Sequence, residues 1–292
     1  MGSRRWRVVA WTAVVVLFVA AAYVLVLRPV LRHAFGPPTA TGPPTTGPSP
    51  TSPASAATDA AAPSGVPMPV GNLPGWRQAF TDDFTGTTLS RAWITYEGEP
   101  AADPGGYFKP SHVEVSGGLL TIGAWREPEH HNLYVTGGIS NRHTFASAYG
   151  RYDIRFRMDR GTGIAYALLL WPLDNRYPPE IDIAEDNGRD RSILYSAVHP
   201  AAGGRTILNE VPGDFTDWHT VSLEWTPGSL VFTLDGEPWA TVTGEAVPSE
   251  PMALALQSQA WYCGHTWEAC PDETTPPVVN LQIDWVVAYL PE

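Results

Sequence analysis

The sequence is poor in cysteine and in basic residues, and it lacks several motifs that carry common chemistry. Residues 71–292 hold 13 basic and 29 acidic residues, a net charge of −16, so this part would repel a phosphate backbone and no nucleic acid partner is expected. No His/Cys cluster has zinc spacing, no phosphate-binding loop occurs, and no Gly-x-Ser-x-Gly nucleophile motif occurs. The only cysteines, Cys263 and Cys270, would form a disulfide in a secreted chain and stay thiols in the cytosol.

The one long hydrophobic run lies within residues 1–35. Residues 8–27 include only two polar members, Thr12 and Tyr23, and as a helix rising about 1.5 Å per residue they would cross the roughly 30 Å of a bilayer. Three arginines precede the run, which favours a cytoplasmic N-terminus. We expect a single-pass membrane anchor with the rest of the chain outside the cell. The alternative is a cleaved signal peptide, because residues 20–22 are three alanines that could supply the cleavage site.

Residues 36–70 have the composition of a linker. They contain ten prolines, many Thr, Ser and Ala, and a single charge, Asp59. Such a segment cannot bury enough apolar surface to fold, and proline keeps it extended. We expect it to be a disordered spacer that holds a domain away from the membrane.

From residue 71 onward, short alternating segments are separated by turn signals. Residues 113–122 form a hairpin pattern around Gly117 and Gly118, and residues 149–157 alternate aromatic or aliphatic with charged side chains. No window keeps a helical apolar period over the length that a globular helix needs. We therefore predict one all-β domain over residues 71–292, with the architecture of a sandwich or a barrel.

The segment Glu-Ile-Asp-Ile-Ala-Glu that begins at Glu180 is the strongest candidate for chemistry. Side chains alternate along a strand, so Glu180 and Asp182 share one face, whereas Glu185 comes one position late. A β-bulge at Ile183 and Ala184 would add one residue and return Glu185 to the acidic face. We predict that bulge, and with it three carboxyls in a row. The alternative is a half-buried strand with a solvated acidic face.

Three carboxyls in a row suit the hydrolysis of a glycosidic bond with retention of configuration. That reaction needs a nucleophile and an acid/base whose carboxyls lie roughly 5–5.5 Å apart. Glu180 would attack the anomeric carbon, and Glu185 would protonate the leaving oxygen and then deprotonate water. Asp182 would hydrogen-bond to the nucleophile. Its charge would help to separate the two pKa values, and ionised neighbours would keep the acid protonated.

Together with six other motifs, this segment resembles glycoside hydrolase family 16, the group of laminarinases, lichenases, agarases and xyloglucan-active enzymes. The motifs follow the family's order and spacing over nearly all of residues 76–290: Thr136-Gly-Gly-Ile-Ser, Tyr149-Gly-Arg-Tyr-Asp-Ile-Arg, Trp171-Pro, Trp218-His-Thr-Val-Ser-Leu-Glu-Trp-Thr-Pro, Leu234-Asp-Gly and Ile283-Asp-Trp-Val-Val-Ala-Tyr. The resemblance implies a concanavalin A-like jelly roll of two curved antiparallel sheets. The spacing Glu-x-Asp-x-x-Glu is similar to that of the laminarinase and agarase branches.

The sequence departs from the family pattern around the acids. Pro179 stands where family members commonly carry glycine, and Asp186-Asn187 stands where an aromatic residue usually leads. Residues 254–259 replace the familiar Asn-containing run that ends in two glycines. These positions would lie near the substrate, so they leave the identity of the sugar undecided, whereas the reaction stays plausible.

The resemblance implies roles for two residues outside the acid strand. Trp171 is expected to line the cleft and stack on a sugar ring. His199 is expected to lie close to the acid/base. The residue types alone leave a core tryptophan and a structural histidine as alternatives.

A second group follows from the strand pattern near the C-terminus. Gln257, Gln259 and Trp261 share one face and make a candidate sugar-binding stripe, because amides both donate and accept hydrogen bonds. Partly buried, satisfied polar residues are the alternative. A disulfide between Cys263 and Cys270 would brace the loop that follows, at the rim of the cleft.

Asp284 resembles the side-chain ligand of a structural calcium on the convex face of many family members. No cofactor is expected to be required for catalysis. We expect an extracellular, monomeric, retaining endo-β-glycanase that hydrolyses β-1,3-glucan-like or galactan-like polysaccharide by double displacement. The alternatives are a polysaccharide transglycosylase and a non-catalytic, lectin-like carbohydrate-binding protein.

Overall fold

The computed structural model describes residues 62–100, 106–261, 263–264 and 267–292. In these residues the chain forms sixteen β-strands and three 3₁₀ turns, without an α-helix. The first eight strands are β1 (Trp76–Asp82), β2 (Ile94–Thr95), β3 (Val113–Ser116), β4 (Leu119–Glu127), β5 (Leu133–Val135), β6 (Gly138–Ser140), β7 (Gly150–Met158) and β8 (Ile164–Pro172). The others are β9 (Glu180–Glu185), β10 (Ile193–His199), β11 (Ile207–Pro212), β12 (His219–Thr226), β13 (Ser229–Leu234), β14 (Glu237–Thr243), β15 (Met252–Ala260) and β16 (Val278–Pro291). The 3₁₀ turns are Pro110–His112, Pro128–His130 and Gly244–Ala246.

The strands form two antiparallel sheets, which confirms the all-β prediction. The nine-stranded sheet runs β14-β13-β12-β7-β16-β4-β3, with β1 beside β16 and β5 beside β4. The seven-stranded sheet runs β11-β10-β9-β8-β15-β6-β2. Strands far apart in sequence lie side by side, β7 with β16 and β8 with β15, as the crossovers of a jelly roll require.

The core lies between the two sheets, and each strand contributes one of its faces to it. In β8, Leu168 and Leu170 are fully buried in the core, whereas the alternate residues Leu169 and Trp171 point away from it. This division leaves each sheet with an outer face. The outer face of the seven-stranded sheet, which carries the β9 acids, is called the acid face below.

The outer face of the nine-stranded sheet is called the arginine face, after Arg151, Arg155 and Arg157 of β7. These three alternate with the core residues Tyr152, Ile154 and Phe156. The acid face and the arginine face therefore lie on opposite sides of the sandwich.

Residues 62–70, which belong to the linker by composition, pack on the arginine face. The Ser64 backbone N–H donates to Asp284 Oδ2 at 3.0 Å, and the Trp285 indole N–H donates to the Val66 carbonyl oxygen at 2.9 Å. Met68 packs against a second apolar cluster that includes Trp285. The packed part of the chain therefore begins earlier than the boundary predicted at residue 71.

The membrane anchor or signal segment predicted in residues 1–35, and most of the predicted linker, lie outside the described residues. Among the residues that are described, no helix is long and apolar enough to span a bilayer. The anchor therefore stays a prediction.

Candidate active site

The predicted bulge is present in β9 and is confirmed from both neighbouring strands. Against β8, Leu168 pairs with Ala184 and the next residue, Leu169, pairs with Asp182, so one residue of β9 is extra. The pairing with β10 shows the same shift. Ile183 and Ala184 both point into the core. The strand therefore regains its alternation one residue late, as the position of the last acid requires.

Glu180, Asp182 and Glu185 consequently share the acid face. Asp182 pairs across strands with Ala197 of β10, and Glu185 pairs with Ala167 of β8. Residues paired in this way point to the same face of a sheet. On the other side of each acid the cross-strand partner is larger, Leu169 beside Asp182 and Tyr195 beside Glu185.

Burial raises the pKa values of all three carboxyls, and repulsion between like charges adds to the rise for the two glutamates. The pKa of Glu185 lies well above its ordinary value because of burial first, and then because of the charges of Asp182, Glu180, Asp186 and Glu268. Burial and the Asp182 charge raise the pKa of Glu180 in the same way. The charged neighbours predicted to hold the acid protonated do contribute, but burial is the larger cause.

The pKa of Asp182 is raised by burial, and a hydrogen bond from His199 works against that rise. Asp182 has a side chain only 4% exposed and lies between the two glutamates along β9. An ionised Asp182 would keep a proton on whichever glutamate holds it. The three acids thus form one coupled group in which a glutamate keeps its proton to higher pH than an isolated carboxyl would.

His199 lies at the end of β10, directly across from Glu180. Its Nε2 is 3.5 Å from Asp182 Oδ2 and 3.8 Å from Glu180 Oε2. The resemblance placed this histidine close to the acid/base, but Glu185 pairs instead with Tyr195, four residues earlier on β10. His199 therefore accompanies the candidate nucleophile, which corrects the expectation.

Trp171 lies on the acid face and outside the core, which excludes the alternative of a core tryptophan. Its ring is parallel to that of Tyr177, with centroids 5.9 Å apart and an interplanar angle of 9°. The indole N–H donates to Asn175 Oδ1 at 3.2 Å. The position suits an aromatic platform for a sugar, and that role stays a prediction.

Gln257 and Gln259 also lie on the acid face, opposite the core residues Leu254 and Leu256. Gln257 pairs with Ala167 of β8, which in turn pairs with Glu185, so the amide and the acid stand in one row across three strands. Gln257 Nε2 donates to Gln259 Oε1 at 3.3 Å. Their binding of a sugar stays a prediction.

Trp261 lies one residue beyond the end of β15, and its backbone N–H donates to the Gly163 carbonyl oxygen. Cys263 and Cys270 form the predicted disulfide, with Cα atoms 5.0 Å apart. The short loop that they close carries Trp267, whose ring meets Tyr195 edge-on at 5.3 Å. Since Tyr195 pairs with Glu185, this loop borders the acid/base end of the acid face.

Three groups near the acids were not predicted from the sequence. Tyr177, three residues before Glu180, hydrogen-bonds to His199, and an aromatic residue beside the acid motif was the available signal. Glu268, in the disulfide loop, is close enough to raise the pKa of Glu185. Arg191 is a buried cation six residues after Glu185.

Arg191 forms a buried ion pair with Asp186, the residue that follows Glu185. Arg191 Nη1 donates to Asp186 Oδ2, and Arg191 Nε donates to the Asp159 carbonyl oxygen at 3.1 Å. Asp186 Oδ1 also accepts the backbone N–H groups of Tyr166 and Gly188. The departure from the family pattern after Glu185 thus builds a fixed end for the acid strand.

Two groups of possible metal ligands occur among the described residues. Glu180, Asp182 and His199 place one ligand atom each within 4.8 Å of one another. Glu127, Glu129 and His130 do the same. Lys109 already forms ion pairs with both of those glutamates, so the lysine supplies the positive charge that a metal would bring.

The residue predicted to bind calcium, Asp284, lies outside both of these groups of described residues. Asp284 is buried on the arginine face, and its carboxylate accepts the Ser64 N–H. Calcium at this residue stays a prediction.

The sequence matches the family described as "Glycosyl hydrolases family 16" over residues 107–287, which include the acid strand and most of both sheets. The endo-1,3-1,4-β-glycanase ExsH of Rhizobium meliloti is 26% identical over 242 residues, 73% of this chain and 51% of that protein. A β-glucanase of Rhodothermus marinus is 31% identical over 147 residues, 44% of this chain and 51% of that protein. The chain thus spans about half the length of these curated relatives.

A solved structure shares the architecture. The laminarinase catalytic domain from Thermotoga maritima superimposes with a TM-score of 0.67 at 24% sequence identity, over 74% of this chain and 99% of that domain. At this identity the likeness shows the fold, a jelly roll of two antiparallel sheets.

Proposed function

The chain belongs to family 16 of the glycosyl hydrolases, and from that membership we propose that it is a retaining endo-β-glucanase that cuts β-1,3 or mixed β-1,3-1,4 glucan. The observation that carries the proposal is the bulge in β9. It brings Glu180, Asp182 and Glu185 onto one face with raised pKa values. Retaining hydrolysis needs two carboxyls on one surface, one ionised and one protonated.

In the first step, the Glu180 carboxylate attacks the anomeric carbon while Glu185 gives its proton to the glycosidic oxygen, and the leaving chain departs. In the second step, Glu185 takes a proton from water, the water oxygen bonds to the anomeric carbon, and Glu180 leaves as a carboxylate. Burial raises the pKa of Glu185 and so favours its protonated starting state. Asp182, between the two, opposes the loss of that proton by its charge.

The glucan preference rests on the relatives, since ExsH and the Rhodothermus protein are described as a β-1,3-1,4-glycanase and a β-glucanase. Galactan is the second candidate, because Glu-x-Asp-x-x-Glu is also the spacing of the agarase branch. An extracellular site of action is supported by the Cys263–Cys270 disulfide, a bond that persists in oxidising compartments.

The test compares wild type, Glu180→Gln and Glu185→Gln on laminarin, lichenan and agarose, with new reducing ends as the measurement. We expect wild type to cut laminarin or lichenan and each variant to lose about 10²–10⁴-fold in rate, because each lacks a group that exchanges charge or a proton with the substrate. Glu224→Gln, on the arginine face, makes the same charge change and should keep the wild-type rate. Equal rates for wild type and Glu180→Gln would defeat the proposal.

The same reaction mixtures test the stereochemistry and the transglycosylase alternative. Retention predicts that NMR of the earliest products shows the β anomer, whereas an α anomer would remove Glu180 from the role of nucleophile. Products longer than the substrate would indicate transfer to a sugar in place of water. Binding of laminarin without any cutting would favour the lectin-like alternative.

A further inference from the structure

The two ring nitrogens of His199 face groups of different chemistry. Nδ1 lies 2.9 Å from Tyr177 Oη and 3.0 Å from Thr206 Oγ1. Nε2 faces the acids, 3.5 Å from Asp182 Oδ2 and 3.8 Å from Glu180 Oε2. The ring is thus held between two hydroxyls on one side and two carboxyls on the other.

The chemistry of these partners selects one neutral form of the imidazole. A neutral imidazole has one nitrogen that donates and one that accepts, and an ionised carboxylate can only accept. The nitrogen that faces Asp182 and Glu180 must therefore carry the hydrogen. Nδ1 is left with one lone pair, which can accept a hydrogen bond from the hydroxyl of Tyr177 or of Thr206. The reverse tautomer would set a lone pair against two carboxylates.

Tyr177 and Trp171 form an aromatic pair beside the acids. The Tyr177 ring is parallel to that of Trp171, and the residue is 54% exposed. The loop that carries it is anchored, because Asn175 Oδ1 accepts from both the Trp171 indole and Arg142 Nη1. A sugar ring placed on Trp171 would meet Tyr177, whose hydroxyl is bound to His199.

We propose that Tyr177 is a positioning residue: with Thr206, it holds His199 as the Nε2–H tautomer and so directs a hydrogen-bond donor at Asp182 and the nucleophile Glu180. Its effect on turnover rests on the proposed glycosidase function. The tautomer requires only that the carboxyls facing Nε2 are ionised in the free protein, and it can be measured there without substrate. In this form His199 offers the acids a donor and no lone pair, so it would not serve as a metal ligand with them.

The first experiment measures the tautomer by ¹⁵N NMR of the full chain labelled at histidine, without substrate. The His199 signals are identified by their loss in His199→Gln. We expect a protonated Nε2 and an unprotonated Nδ1 in wild type, and a shift toward Nδ1 protonation in the double variant Tyr177→Phe with Thr206→Val. A protonated Nδ1 in wild type, or a double variant with the wild-type pattern, would overturn the proposal.

The second experiment measures turnover of laminarin or lichenan. Tyr177→Phe keeps the ring and removes the hydroxyl, so we expect kcat to fall about tenfold while KM stays within about twofold. A raised KM with unchanged kcat would show that Tyr177 acts only as a platform for sugar. The matched control is Tyr107→Phe, another tyrosine whose ring contacts a histidine, His130, at 4.0 Å, and it should change neither value. A wild type that cuts no polysaccharide would defeat the proposed function and leave the NMR result to decide the tautomer.

Discussion

On the arginine face, Asp153 and Glu224 both bind Arg151, at 3.0 and 2.7 Å, whereas on the acid face Glu180, Asp182 and Glu185 lie next to one another. Both faces belong to strands of one sandwich, and on both the acids lie opposite core residues of the same strands. The difference lies in what stands beside each acid. Arg151 is an immediate partner on one face, whereas two further carboxyls are the neighbours on the other.

The pKa values follow this difference. All three carboxyls in β9 have raised pKa values, since burial disfavours their ionised forms and, for Glu180 and Glu185, like charges do so as well. A group of this kind lowers the free energy of unfolding, and such groups are typical of functional sites. The arginine face thus pairs its acids with a cation, whereas the acid face sets carboxyls side by side, an arrangement that lowers stability and is expected if these acids carry out the proposed reaction.

The largest stability effect is expected at Asp186, the carboxyl that directly follows β9 and is paired with Arg191. Arg191→Met would leave Asp186 buried without its cation, and we expect a loss of about 3–5 kcal/mol in the free energy of unfolding. Chemical denaturation at pH 7 measures it. Adding Asp186→Asn removes the buried charge and should recover part of the loss. A single variant as stable as wild type would show that Asp186 is already neutral.

A smaller effect, of opposite sign, is expected from Glu185→Gln. The folded-state pKa of Glu185 is raised, so its contribution to stability is fully present below the ordinary carboxyl pKa and is lost as pH rises through the raised value. The amide has no charge to bury, so at pH 7 we expect a gain of about 0.5–2 kcal/mol. At pH 4 the gain should nearly vanish.

Thermal unfolding at the two pH values checks this prediction. Removing any negative charge from a chain of formal charge −12 could stabilise it in a general way, so a variant with the same charge change is needed. Glu224→Gln supplies it. If both variants gain equally at pH 7, the gain reflects net charge and the contrast between the faces fails.

The smallest effect is expected from Glu224→Gln itself. Glu224 has a side chain 37% exposed and is bound to Arg151, so its replacement should cost about 0.2–1 kcal/mol at low salt. Salt screens exposed ion pairs, and the cost should disappear at about 1 M NaCl. Unfolding curves at both ionic strengths measure it, and a loss that persists in high salt would mean that the pair acts through packing.

The parts of the site that local rules govern could be predicted from the sequence. The alternation of strand side chains placed Glu180 and Asp182 on one face, and the odd position of Glu185 required the bulge that β9 contains. The same rule placed Gln257 and Gln259 together. Each of these predictions needed only the period of a strand.

The parts that depend on contacts between distant segments could not be predicted in this way. Nothing local shows that Arg191 is buried or that His199 pairs with Glu180, because both facts depend on which strands become neighbours. Composition assigned residues 62–70 to a linker. The hydrogen bonds that hold them use backbone groups such as the Ser64 N–H and the Val66 carbonyl, and every residue type carries such groups, so composition could not reveal the attachment.

The attachment of residues 62–70 also decides how the domain bears a mechanical pull. Force applied to the chain at residue 62 enters through Ser64, Val66 and Met68 into β16, which is bonded to β1, β4 and β7. It spreads there over the interior of the nine-stranded sheet, on the far side of the core from the acids. A pull on residue 62 is therefore borne first by the bonds of Ser64 and Val66 to β16, and it reaches the strand that carries the acids only through the core.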